Sequence, residues 1–584
     1  MKSKKLLATV LSTVITLSTV SAVSAAPIGK ESKKEPKTTT ILWEKSKQNT
    51  EKSTTGIAKK KFNNSKEINK FFKENISNFG LKKGSLKNTK TSKDEKGNTN
   101  YHMTYEVEGI PVYYGNMVFT TKKDCTMSSI NGRVDDTFET GNFKNKIKLS
   151  KNAAIEKAKS NIKDNKATSK KADLYLYSFK GKPYVVYLVN LNAKDGNWIV
   201  FVNAETGSIV NKFNNTPTLV NEKGKKKPVN IKEAQSNKKD STSNNVIDIQ
   251  GKTVKGKGKT SLDGVVDIDL TYKDGKYYLK NSNKNIFLYD INHKRGADEI
   301  DSENGVTKEE VLKDSTLVSD KDSNFTDEKQ VNAIDAYVNL SKTYDYYKNV
   351  LKRDSIDDNG LNVEGFVHVG TKYNNAFWEP EHKAMFFGDG DGKRFYPFAR
   401  SLDVVAHELS HGVTSSESDL YYHNESGALN EAFSDIMGTA VEGKNFQVGE
   451  DCYTPGIDGD ALRDMKDPSK GNQPAHMKDY YNVPDLEMFD NGGVHTNSGI
   501  INHAAYLIAD GIEQLGRKDS KSVMGKLFYM ANCDLWGKET NFAETRNSLV
   551  TVAKNLYGEN SRYVKIVEKA FDEVGIHATP QLPL

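Results

Sequence analysis

Two hydrophobic patterns divide the chain. Apolar and polar residues alternate over much of the first half, whereas apolar residues recur at helical spacing from residue 401 onward, for example over Ile500–Leu515. The clearest helical stripe consists of Leu402, Val405, Ala406, Leu409 and Val413. Ser401 precedes it, and serine is a common helix-capping residue. Because residues four apart share a helix face, His407 and His411 project from the same side of this predicted helix.

A second predicted helix follows and carries two acids on one face. Its apolar stripe consists of Ala428, Leu429, Ala432, Phe433, Ile436 and Met437. Glu431 and Asp435 stand four apart, so their carboxylates lie close together. One can bind a metal ion, while the other accepts a hydrogen bond from the free ring N–H of a metal-bound histidine. An ordinary acidic helix face is the alternative.

The residues around the paired histidines suit zinc chemistry. His407, Glu408 and His411 form the pattern H-E-x-x-H, which offers two nitrogen ligands and an adjacent carboxylate base. A catalytic zinc site needs a third protein ligand and keeps its fourth position for water. The acids of the second helix can supply that ligand. For the pattern alone, a helix with solvated or core-satisfied histidines is the alternative.

Several linked motifs occur along the second half of the chain. They are Asn375-Ala376-Phe377-Trp378, His407-Glu408-x-x-His411, Gly427-Ala428-Leu429-Asn430-Glu431-Ala432-x-Ser434-Asp435 and Asn491-Gly492-Gly493-Val494-His495-x-Asn497-Ser498-Gly499. Together they resemble the thermolysin family of secreted zinc metallopeptidases over about residues 245–584. The resemblance implies an α+β fold: a two-lobed thermolysin-like catalytic unit, with a β-rich N-terminal lobe and a mainly α-helical C-terminal lobe, preceded by α+β pro-domains.

The resemblance also implies a role for each residue of the predicted zinc site. His407, His411 and Glu431 would bind zinc, which lowers the pKa of its water and polarises the scissile carbonyl. Glu408 would act as the general base and pass the proton to the leaving nitrogen. Asp435 would orient His407 through its far ring nitrogen. The expected reaction is hydrolysis of peptide bonds in proteins by a neutral endopeptidase.

A glycine-rich stretch is expected to complete the catalytic site. Gly492 and Gly493 let the chain approach closely, and Asp490 can hold the imidazole of His495 protonated and oriented. The resemblance makes His495 a donor to the developing oxyanion, with Tyr422 as a second donor. Without the resemblance, Tyr422 could equally have a surface or packing role.

Substrate-binding residues follow from the same resemblance. Asn375, the carbonyl of Ala376 and Arg463 are expected to hold the peptide backbone. The apolar pocket just after the scissile bond is expected to be lined by Phe395, Phe398, Val404 and Leu462. Two aromatic rings there predict a preference for bulky hydrophobic residues on the amino-group side of the cut.

Acidic loops predict calcium as a structural metal, with two or three ions in all. Three sets of residues resemble calcium sites of the family: Asp320, Asp322 and Asn324; Tyr453, Thr454, Ile457 and Asp460; and Asp403, Glu442 and Glu450 near the zinc. Near the third set, Asn445 and Gln447 stand where the family usually has carboxylates. Fewer charges weaken calcium binding, so we expect one ion there rather than a pair. Each loop alone could equally be a solvated turn.

The start of the chain has the pattern of a secretory signal. Lys2, Lys4 and Lys5 precede an apolar run that ends in Val23-Ser24-Ala25-Ala26. We predict cleavage after Ala25 and a secreted, extracellular product. An N-terminal membrane anchor is the weaker alternative, because the run contains many Ser and Thr residues.

Two α+β blocks are predicted at about residues 60–130 and 148–214, each with a short helix followed by strands. They resemble the paired pro-domains of the thermolysin family, most closely at residues 202–207. The resemblance implies an inhibitor and folding aid that is later removed; a permanent binding domain is the alternative. A polar linker follows, and the maturation cut is expected between about 217 and 245.

The predicted division of the chain is therefore a signal peptide, a propeptide, a β-rich lobe, and a zinc-site helix with the helical lobe. These segments span residues 1–25, 26–240, 241–395 and 396–584, respectively. The partners expected are protein and peptide substrates and the chain's own propeptide, with a monomeric enzyme. A catalytically inactive calcium-stabilised adhesin and a metallohydrolase acting on other bonds are the competing classes.

The composition argues against a nucleic-acid-binding, membrane-binding or disulfide-rich protein. The 584 residues carry a formal net charge of +7, 28% of them are charged, and the lysines are dispersed. Nucleic-acid or membrane binding would need a concentrated basic face, which the sequence lacks. Three cysteines are too few for a disulfide framework. Cys452 and Cys533 could pair or remain free thiols.

Overall fold

The computed structural model describes residues 38–44, 57, 60–138, 141–162, 167–193, 196–215, 250–300, 306–485 and 489–579. The predicted signal peptide and the predicted maturation region both lie outside these residues. Within the described ranges, no helix combines the length and hydrophobicity needed to cross a bilayer. All three cysteines lie in the described part, where they are free thiols.

The first α+β block is a helix packed on antiparallel strands. Strand β3 (Thr99–Val107) shows why it forms, since it buries Tyr101, Met103, Tyr105 and Val107 at alternating positions. The elements are β1 (Thr38–Glu44), α1 (Ser65–Glu74), β2 (Ser85–Lys93), β3 (Thr99–Val107), β4 (Ile110–Thr121) and β5 (Met127–Asp135). Asn64 caps α1 by accepting from the backbone N–H groups of Lys66 and Glu67.

The second block repeats this arrangement and joins the first in one sheet. Its elements are α2 (Lys151–Ile162), β6 (Thr168–Phe179), β7 (Lys182–Ala193), β8 (Gly196–Asn203) and β9 (Ile209–Asn214). The main strand order is β1-β5-β4-β6-β7-β8-β9, and β3 and β2 extend from β4. Strands β4 and β6 meet in parallel, where Val112 pairs with Leu176. We call residues 38–215 the pro-region.

The β-rich lobe contains two sheets and a long helix. Its strands are β10 (Lys252–Lys259), β11 (Val265–Lys273), β12 (Lys276–Tyr278), β13 (Lys280–Asn281), β14 (Ile286–Asp290), β15 (Thr316–Leu317), β16 (Ser319–Asp320), β17 (Asn324–Phe325), β18 (Val363–Val369), β19 (Ala376–Glu379) and β20 (Ala384–Gly388). Its helices are α3 (Ala297–Ile300), α4 (Lys308–Asp314) and α5 (Val331–Asn349). One sheet has the order β16-β12-β11-β10-β17, and the other β13-β14-β18-β20-β19 with β15 on β14.

The second of these sheets positions the functional region. Strands β14, β18 and β20 run parallel, and α5 packs against β14 and β18. The residues of β20 are all buried, as expected for a strand covered on both faces. Strand β19 pairs with β20 antiparallel and has no neighbour on its outer side among the described strands.

The C-terminal lobe is mainly helical. Its elements are α6 (Leu402–Ser416), α7 (Asn424–Glu442), β21 (Gln447–Val448), β22 (Arg463–Asp464), α8 (Asp490–Glu513), α9 (Ser520–Asp534), α10 (Phe542–Tyr557) and α11 (Arg562–Glu573). Helix α6 packs against α5 and β19 of the β-rich lobe and against α7. One continuous hydrophobic core therefore spans both lobes at α6. The predicted α+β architecture of two lobes behind α+β blocks is confirmed.

Two local predictions differ from the structure. Ser401 occupies the N-cap position of α6, but its hydroxyl donates to Asp403 at 2.5 Å and makes no capping bond to the helix backbone. Helix α8 begins at Asp490, ten residues before the predicted start near Ile500. Its first turn contains left-handed residues, so the helical spacing of apolar residues can be recognised in the sequence only after that turn.

The pro-region packs on the helical lobe. Tyr421, between α6 and α7, belongs to an aromatic cluster whose other buried members lie in the pro-region: Tyr113, Tyr177, Val186, Leu188, Ile199, Phe201 and Phe213. Ion pairs join the same parts, including Lys90 to Glu417 at 3.0 Å and Glu95 to Lys526 at 2.9 Å. The pro-region thus covers the segment that leads into α7.

Candidate metal centre

Helices α6 and α7 bring the three predicted zinc ligands together. His407, His411 and Glu431 each place one ligand atom within 4.8 Å of the others, and all three are buried. The Nε2 atoms of the two histidines are 3.0 Å apart. The carboxylate oxygens of Glu431 lie 3.7 Å from Nε2 of His407 and 3.4 Å from Nε2 of His411. The close approach of α6 and α7 needs Gly438, since a Cβ there would lie 2.6 Å from the carbonyl oxygen of Asp403.

Hydrogen bonds fix the orientation of both rings. Nδ1 of His407 donates to Asp435 at 2.8 Å, and Nδ1 of His411 donates to Oδ1 of Asn430 at 2.8 Å. Each ring therefore directs Nε2 toward the other ring and toward Glu431. Two ring nitrogens that face each other at this distance need a cation between them, either a proton or a metal ion. Two nitrogens and one carboxylate form a donor set that fits zinc.

The charges of the cluster follow from burial and from neighbours. Burial and the adjacent His411 lower the pKa of His407 to about 4, although Asp435 opposes this shift. Burial acts in the same direction on His411, but Glu431 outweighs it and raises the pKa of His411. Despite burial, the charges of His495 and His411 hold the pKa of Glu431 well below its usual range. An anionic carboxylate thus faces the two rings.

Glu408 is the only acid placed beside both histidines on α6 among the described residues, and it is fully buried. Neither of its oxygens has a hydrogen-bond partner of ordinary geometry in the described part of the chain. Burial raises the pKa of Glu408 to about 8, against the opposing charge of His411. A buried carboxyl with a pKa near neutrality can take up and release a proton, as a general base must.

The first turn of α8 supplies His495. Asn491, Gly492 and Gly493 all have left-handed backbone, with φ values of 46°, 86° and 83°. This kink lets Asp490 reach back, so that its carboxylate accepts from Nδ1 of His495 at 2.6 Å and from the His495 backbone N–H at 3.0 Å. The sequence prediction that Asp490 orients His495 matches this geometry.

Tyr422 connects His495 to the metal cluster. Its hydroxyl lies 3.1 Å from Nε2 of His495 and donates to Glu431. Nε2 of His495 is also 3.8 Å from Oε1 of Glu431. Two donors predicted for the oxyanion therefore lie at the edge of the predicted zinc site, on the segments before α7 and at the start of α8.

Sequence reasoning assigned no role to two further residues that contact this network. Asn430 accepts from His411, and Asn502 donates to Asp435 at 2.8 Å. Because a metal-bound histidine needs an acceptor for its other N–H, the search for a partner of His411 could have found Asn430. Asn502 lies on α8 and carried no local signal.

The predicted substrate residues lie near the cluster in two groups. Ala376 starts β19, the edge strand, and its backbone N–H donates to Oδ1 of the buried Asn375 at 3.0 Å. Arg463 is buried and directs two nitrogens to Asp435, each at 2.7 Å. Its substrate role stays a prediction, while its contact with Asp435 ties it to His407.

The apolar residues predicted to line the pocket also form two groups. The rings of Phe395 and Phe398 stack with centroids 4.7 Å apart, and both are buried. Val404 and Leu462 approach each other around Gly449, where an added Cβ would lie 3.3 Å from Leu462 and 3.8 Å from Val404. All four residues pack in or against the main core.

Of the predicted calcium sets, the third forms the tightest acidic group. Asp403, Glu442 and Glu450 each place a ligand oxygen within 4.8 Å of the others. Burial and the neighbouring Asp403 raise the pKa of Glu442 to about 7 and of Glu450 to about 8. Carboxylates this close need a cation to remain ionised together. Lys444 neutralises part of this charge through a 2.9 Å contact with Glu442.

Asn445 and Gln447, the predicted departures from the family, lie beside the same group. Nδ2 of Asn445 donates to Glu450 at 2.6 Å, and its Oδ1 accepts from the Gln447 backbone at 2.5 Å. The amide therefore acts as a hydrogen-bond partner of a carboxylate at a place where a further acid would repel it. This arrangement agrees with fewer charges at the site, while the number of ions stays a prediction.

The other two calcium sets are less enclosed. In the first, Asp320 accepts from Gln330 at 2.6 Å, and Asp322 accepts from the backbone of Asn324 at 2.7 Å. In the second, Thr454 donates to Asp460, while Ile457 donates its backbone N–H to the carbonyl of Thr454 at 3.0 Å. Tyr453 pairs by backbone with Phe395. Calcium binding at both places stays a prediction.

Sequence models of known families match most of the peptidase region and the pro-region. The model described as "Thermolysin metallopeptidase, catalytic domain" matches residues 255–415, and that of the "alpha-helical domain" matches residues 418–576. The "Fungalysin/Thermolysin Propeptide Motif" matches residues 84–134, and the "Peptidase propeptide and YPEB domain" matches residues 148–213. These matches fall on the pro-region blocks and the two lobes described above.

Individual relatives agree with these matches. Bacillolysin of Bacillus cereus is 37% identical over 486 residues, which cover 80% of this chain and 81% of the relative. Thermolysin of Alicyclobacillus acidocaldarius subsp. acidocaldarius is 35% identical over 506 residues, which cover 83% and 84%. A solved structure, the precursor of protealysin, a metalloproteinase from Serratia proteamaculans, is 33% identical, with a TM-score of 0.42 over 50% of this chain and 87% of that one. The curated relatives and the family models show that the chain belongs to the thermolysin family of metallopeptidases and carries its propeptide motifs.

Proposed function

We propose that this protein is a secreted zinc endopeptidase, made as an inactive precursor, that cuts proteins before bulky hydrophobic residues. The observation that carries the proposal is the cluster of His407, His411 and Glu431, in which both rings direct Nε2 into one buried point. The adjacent Glu408 has both carboxylate oxygens available there. Zinc bound by these residues would polarise the scissile carbonyl. It would also lower the pKa of a bound water, so that a base can deprotonate this water for its attack on the carbonyl carbon.

Glu408 and the residues around it move the protons. Glu408 takes the proton from the attacking water and gives it to the leaving nitrogen, a transfer for which its buried place beside the two histidines on α6 is suited. His495, held by Asp490, and Tyr422 donate to the carbonyl oxygen as it becomes negative. Asp435 keeps the His407 ring in its binding orientation.

The edge strand is proposed to hold the substrate. An extended peptide can add to β19 through main-chain hydrogen bonds, because its outer side has no partner among the described strands. Ala376 starts that strand and Asn375 directly precedes it, and Arg463 assists from the helical lobe. Phe395, Phe398, Val404 and Leu462 would then accept the hydrophobic side chain that follows the cut.

Calcium is proposed as the structural metal, with one ion held by Asp403, Glu442 and Glu450. The support is the approach of three acidic side chains within 4.8 Å and the raised pKa of two of them. A divalent ion would replace the protons that the cluster otherwise holds. The less enclosed sets at Asp320 and Asp460 are proposed to bind the remaining one or two ions.

The pro-region is proposed to inhibit the peptidase through contacts beside the catalytic residues. Asn215 accepts from the backbone N–H of Tyr422 at 2.5 Å, and Phe213 stacks on His423 with centroids 3.7 Å apart. The hydroxyl of Tyr113 donates to Glu539, which also lies 3.1 Å from Nε2 of His423. Asn215 thus lies beside Tyr422, one of the two predicted oxyanion donors.

Secretion rests on the sequence of the first 25 residues and on the propeptide motifs. The maturation cut is proposed between about residues 217 and 245. N-terminal sequencing of the protein from a culture supernatant tests both points. Recovery only in the cell fraction, with residues 1–25 still attached, would contradict secretion.

The enzymatic proposal is tested by mapping cleavage. The mature protein is incubated with casein and with a library of peptides, and cut sites are identified by mass spectrometry with and without a zinc chelator. We expect chelation to stop cleavage, zinc to restore it, and cuts to fall before Leu, Ile, Phe or Val. Cleavage that persists without zinc, or that ignores the residue after the cut, would contradict the proposal.

Inhibition by the pro-region is tested by adding a separate chain of the predicted propeptide, residues 26–240, to the mature enzyme. We expect inhibition that weakens in the Phe213→Ala variant, because the ring contact with His423 is lost. Phe179→Ala is the matched control, since Phe179 stacks within the pro-region on Tyr177. Equal inhibition by both variants would overturn the proposed contact.

A further inference from the structure

A second cluster of metal-binding side chains lies in the β-rich lobe, away from α6 and α7. His293 follows β14, His368 lies near the end of β18, and Asp389 follows β20 directly. These strands are parallel neighbours in the order β14-β18-β20. Their carboxyl ends therefore lie along one edge, the usual place for a ligand in a parallel sheet.

The three side chains converge. Each places one ligand atom within 4.8 Å of the other two. Nδ1 of His368 lies 2.9 and 3.0 Å from the two carboxylate oxygens of Asp389, and Nε2 of His293 lies 3.6 Å from one of them. The two imidazole centroids are 5.4 Å apart, with an angle of 61° between the rings.

Surrounding contacts prepare two of these groups for a cation. Nδ1 of His293 lies 2.5 Å from the carbonyl oxygen of Gly370, so that nitrogen carries the proton and donates. Its Nε2 then directs a lone pair toward the Asp389 carboxylate, an arrangement that a metal ion between them satisfies. Nδ2 of Asn332 donates to the other oxygen of Asp389 at 3.2 Å and orients that carboxylate.

The backbone of both histidines is unusual. His293 has a φ of 57° and His368 a φ of 59°, in the left-handed region that few side-chain-bearing residues adopt. The N–H of His293 donates to the carbonyl oxygen of His368 at 2.9 Å, which pairs the two residues. Strained backbone of this kind concentrates at functional sites, where the surrounding structure maintains it.

We propose that His293, His368 and Asp389 form a second transition-metal site, separate from the predicted catalytic zinc centre. Two imidazoles and one carboxylate favour zinc and similar ions such as cobalt or copper over calcium. On binding, the proton of His368 Nδ1 moves to its other ring nitrogen, and water completes the coordination. The site is reachable from solvent, since the His293 side chain is 43% exposed.

Such an ion would link three strand ends to the loop that follows β20. That loop is joined to the predicted substrate edge, because Asn374 donates to Asp391 at 2.9 Å and the backbone of Gly388 donates to Asn375 at 3.0 Å. The inference does not depend on the enzyme's mechanism, since none of its three ligands belongs to the catalytic site.

The test is a metal titration of the full protein. Zinc is titrated against a chromophoric chelator in excess calcium, so that oxygen-only sites are filled, with wild type compared with His293→Gln and His577→Gln. His577 is the control, because its side chain is 76% exposed and lies outside the cluster. We expect one fewer bound equivalent in His293→Gln only, with casein cleavage at limiting zinc unchanged in both variants once the pro-region has been removed.

Copper(II) bound to the same three proteins provides a second readout. We expect electron paramagnetic resonance to show an extra equivalent coupled to two ring nitrogens in wild type and in His577→Gln, and this signal should be lost in His293→Gln. Equal zinc stoichiometry in wild type and His293→Gln would overturn the proposal. Loss of the same equivalent in His577→Gln would also overturn it, since the ion would then be bound adventitiously at surface histidines.

Discussion

Helices α6 and α7 carry two metal-ligand clusters with opposite chemistry. One turn separates Asp403 from His407 on α6, and Glu442 ends the helix that carries Glu431. In the histidine cluster, neighbouring acceptors fix both rings, and the nitrogens converge with one anionic carboxylate. In the acidic cluster, three carboxyl groups converge, and burial together with Asp403 raises the pKa of Glu442 and of Glu450.

Because of this difference, a bound ion is expected to have a different effect at each cluster. The histidine cluster is held in its binding geometry by hydrogen bonds to Asp435 and Asn430, so zinc is expected to add catalysis to a site already formed. The acidic cluster brings three carboxyl groups together, so calcium is expected to reduce their repulsion and stabilise the fold.

The largest effect is expected from removing a ring ligand. His411→Gln should lose zinc, because the amide cannot replace an imidazole that Asn430 orients. Casein cleavage should fall to the background of the assay, while the calcium-dependent thermal stability stays close to that of wild type. Zinc analysis and cleavage assays check this, with His577→Gln as the control. Activity retained with full zinc in His411→Gln would break the contrast.

Removing calcium should mainly lower stability. At free calcium 100 times its dissociation constant, one site contributes about 2.7 kcal/mol to the free energy of unfolding. Thermal melts of wild type should therefore shift downward in a calcium chelator, and the shift should be smaller in Glu450→Gln, which keeps only the other proposed calcium sites. Glu559→Gln, an exposed glutamate, is the control. Equal calcium dependence in Glu450→Gln and wild type would exclude Glu450 as a ligand.

The calcium-free protein should lose stability as pH rises. Burial and Asp403 raise the pKa of Glu442 to about 7 and of Glu450 to about 8 in the folded state, above the unfolded value of 4.5. Their contribution is therefore complete below about pH 4.5 and is lost as pH increases through these raised values. Melts in chelator from pH 5 to 8 should fall in wild type and vary less in Glu450→Gln. A flat wild-type profile would contradict the repulsion.

The smallest effect is expected from restoring an acid. Asn445→Asp places a further carboxylate beside Glu450, so calcium should bind more tightly, while the calcium-free protein should become less stable. Calcium titrations check the tighter binding, and thermal melts with and without chelator check the lower stability of the calcium-free protein. Weaker calcium binding in the variant would show that residue 445 faces away from the ion.

Much of the zinc centre could be predicted from the sequence because its parts are local. Spacing of four residues places His407 with His411 and Glu431 with Asp435 on helix faces, and apolar stripes identify α6 and α7. The hydrogen-bond partner of Ser401 could not be predicted, because its hydroxyl can bond either to the helix backbone or to Asp403, and it bonds to Asp403.

Contacts between distant segments were missed for a different reason. Asn502 reaches Asp435 from α8, and His293, His368 and Asp389 meet only because β14, β18 and β20 are parallel neighbours. No local pattern encodes which strand ends lie side by side. The register of the sheet was needed to bring those side chains together.

The central claim is that zinc at His407, His411 and Glu431 works with Glu408 as the base. The most direct measurement compares zinc content and casein cleavage of wild type and Glu408→Gln, both freed of the pro-region by the same added protease. We expect equal zinc content in both proteins and a kcat that is lower in the variant by a factor of about 10²–10⁴. Cleavage by the variant at the wild-type rate, or by wild type without zinc, would contradict it.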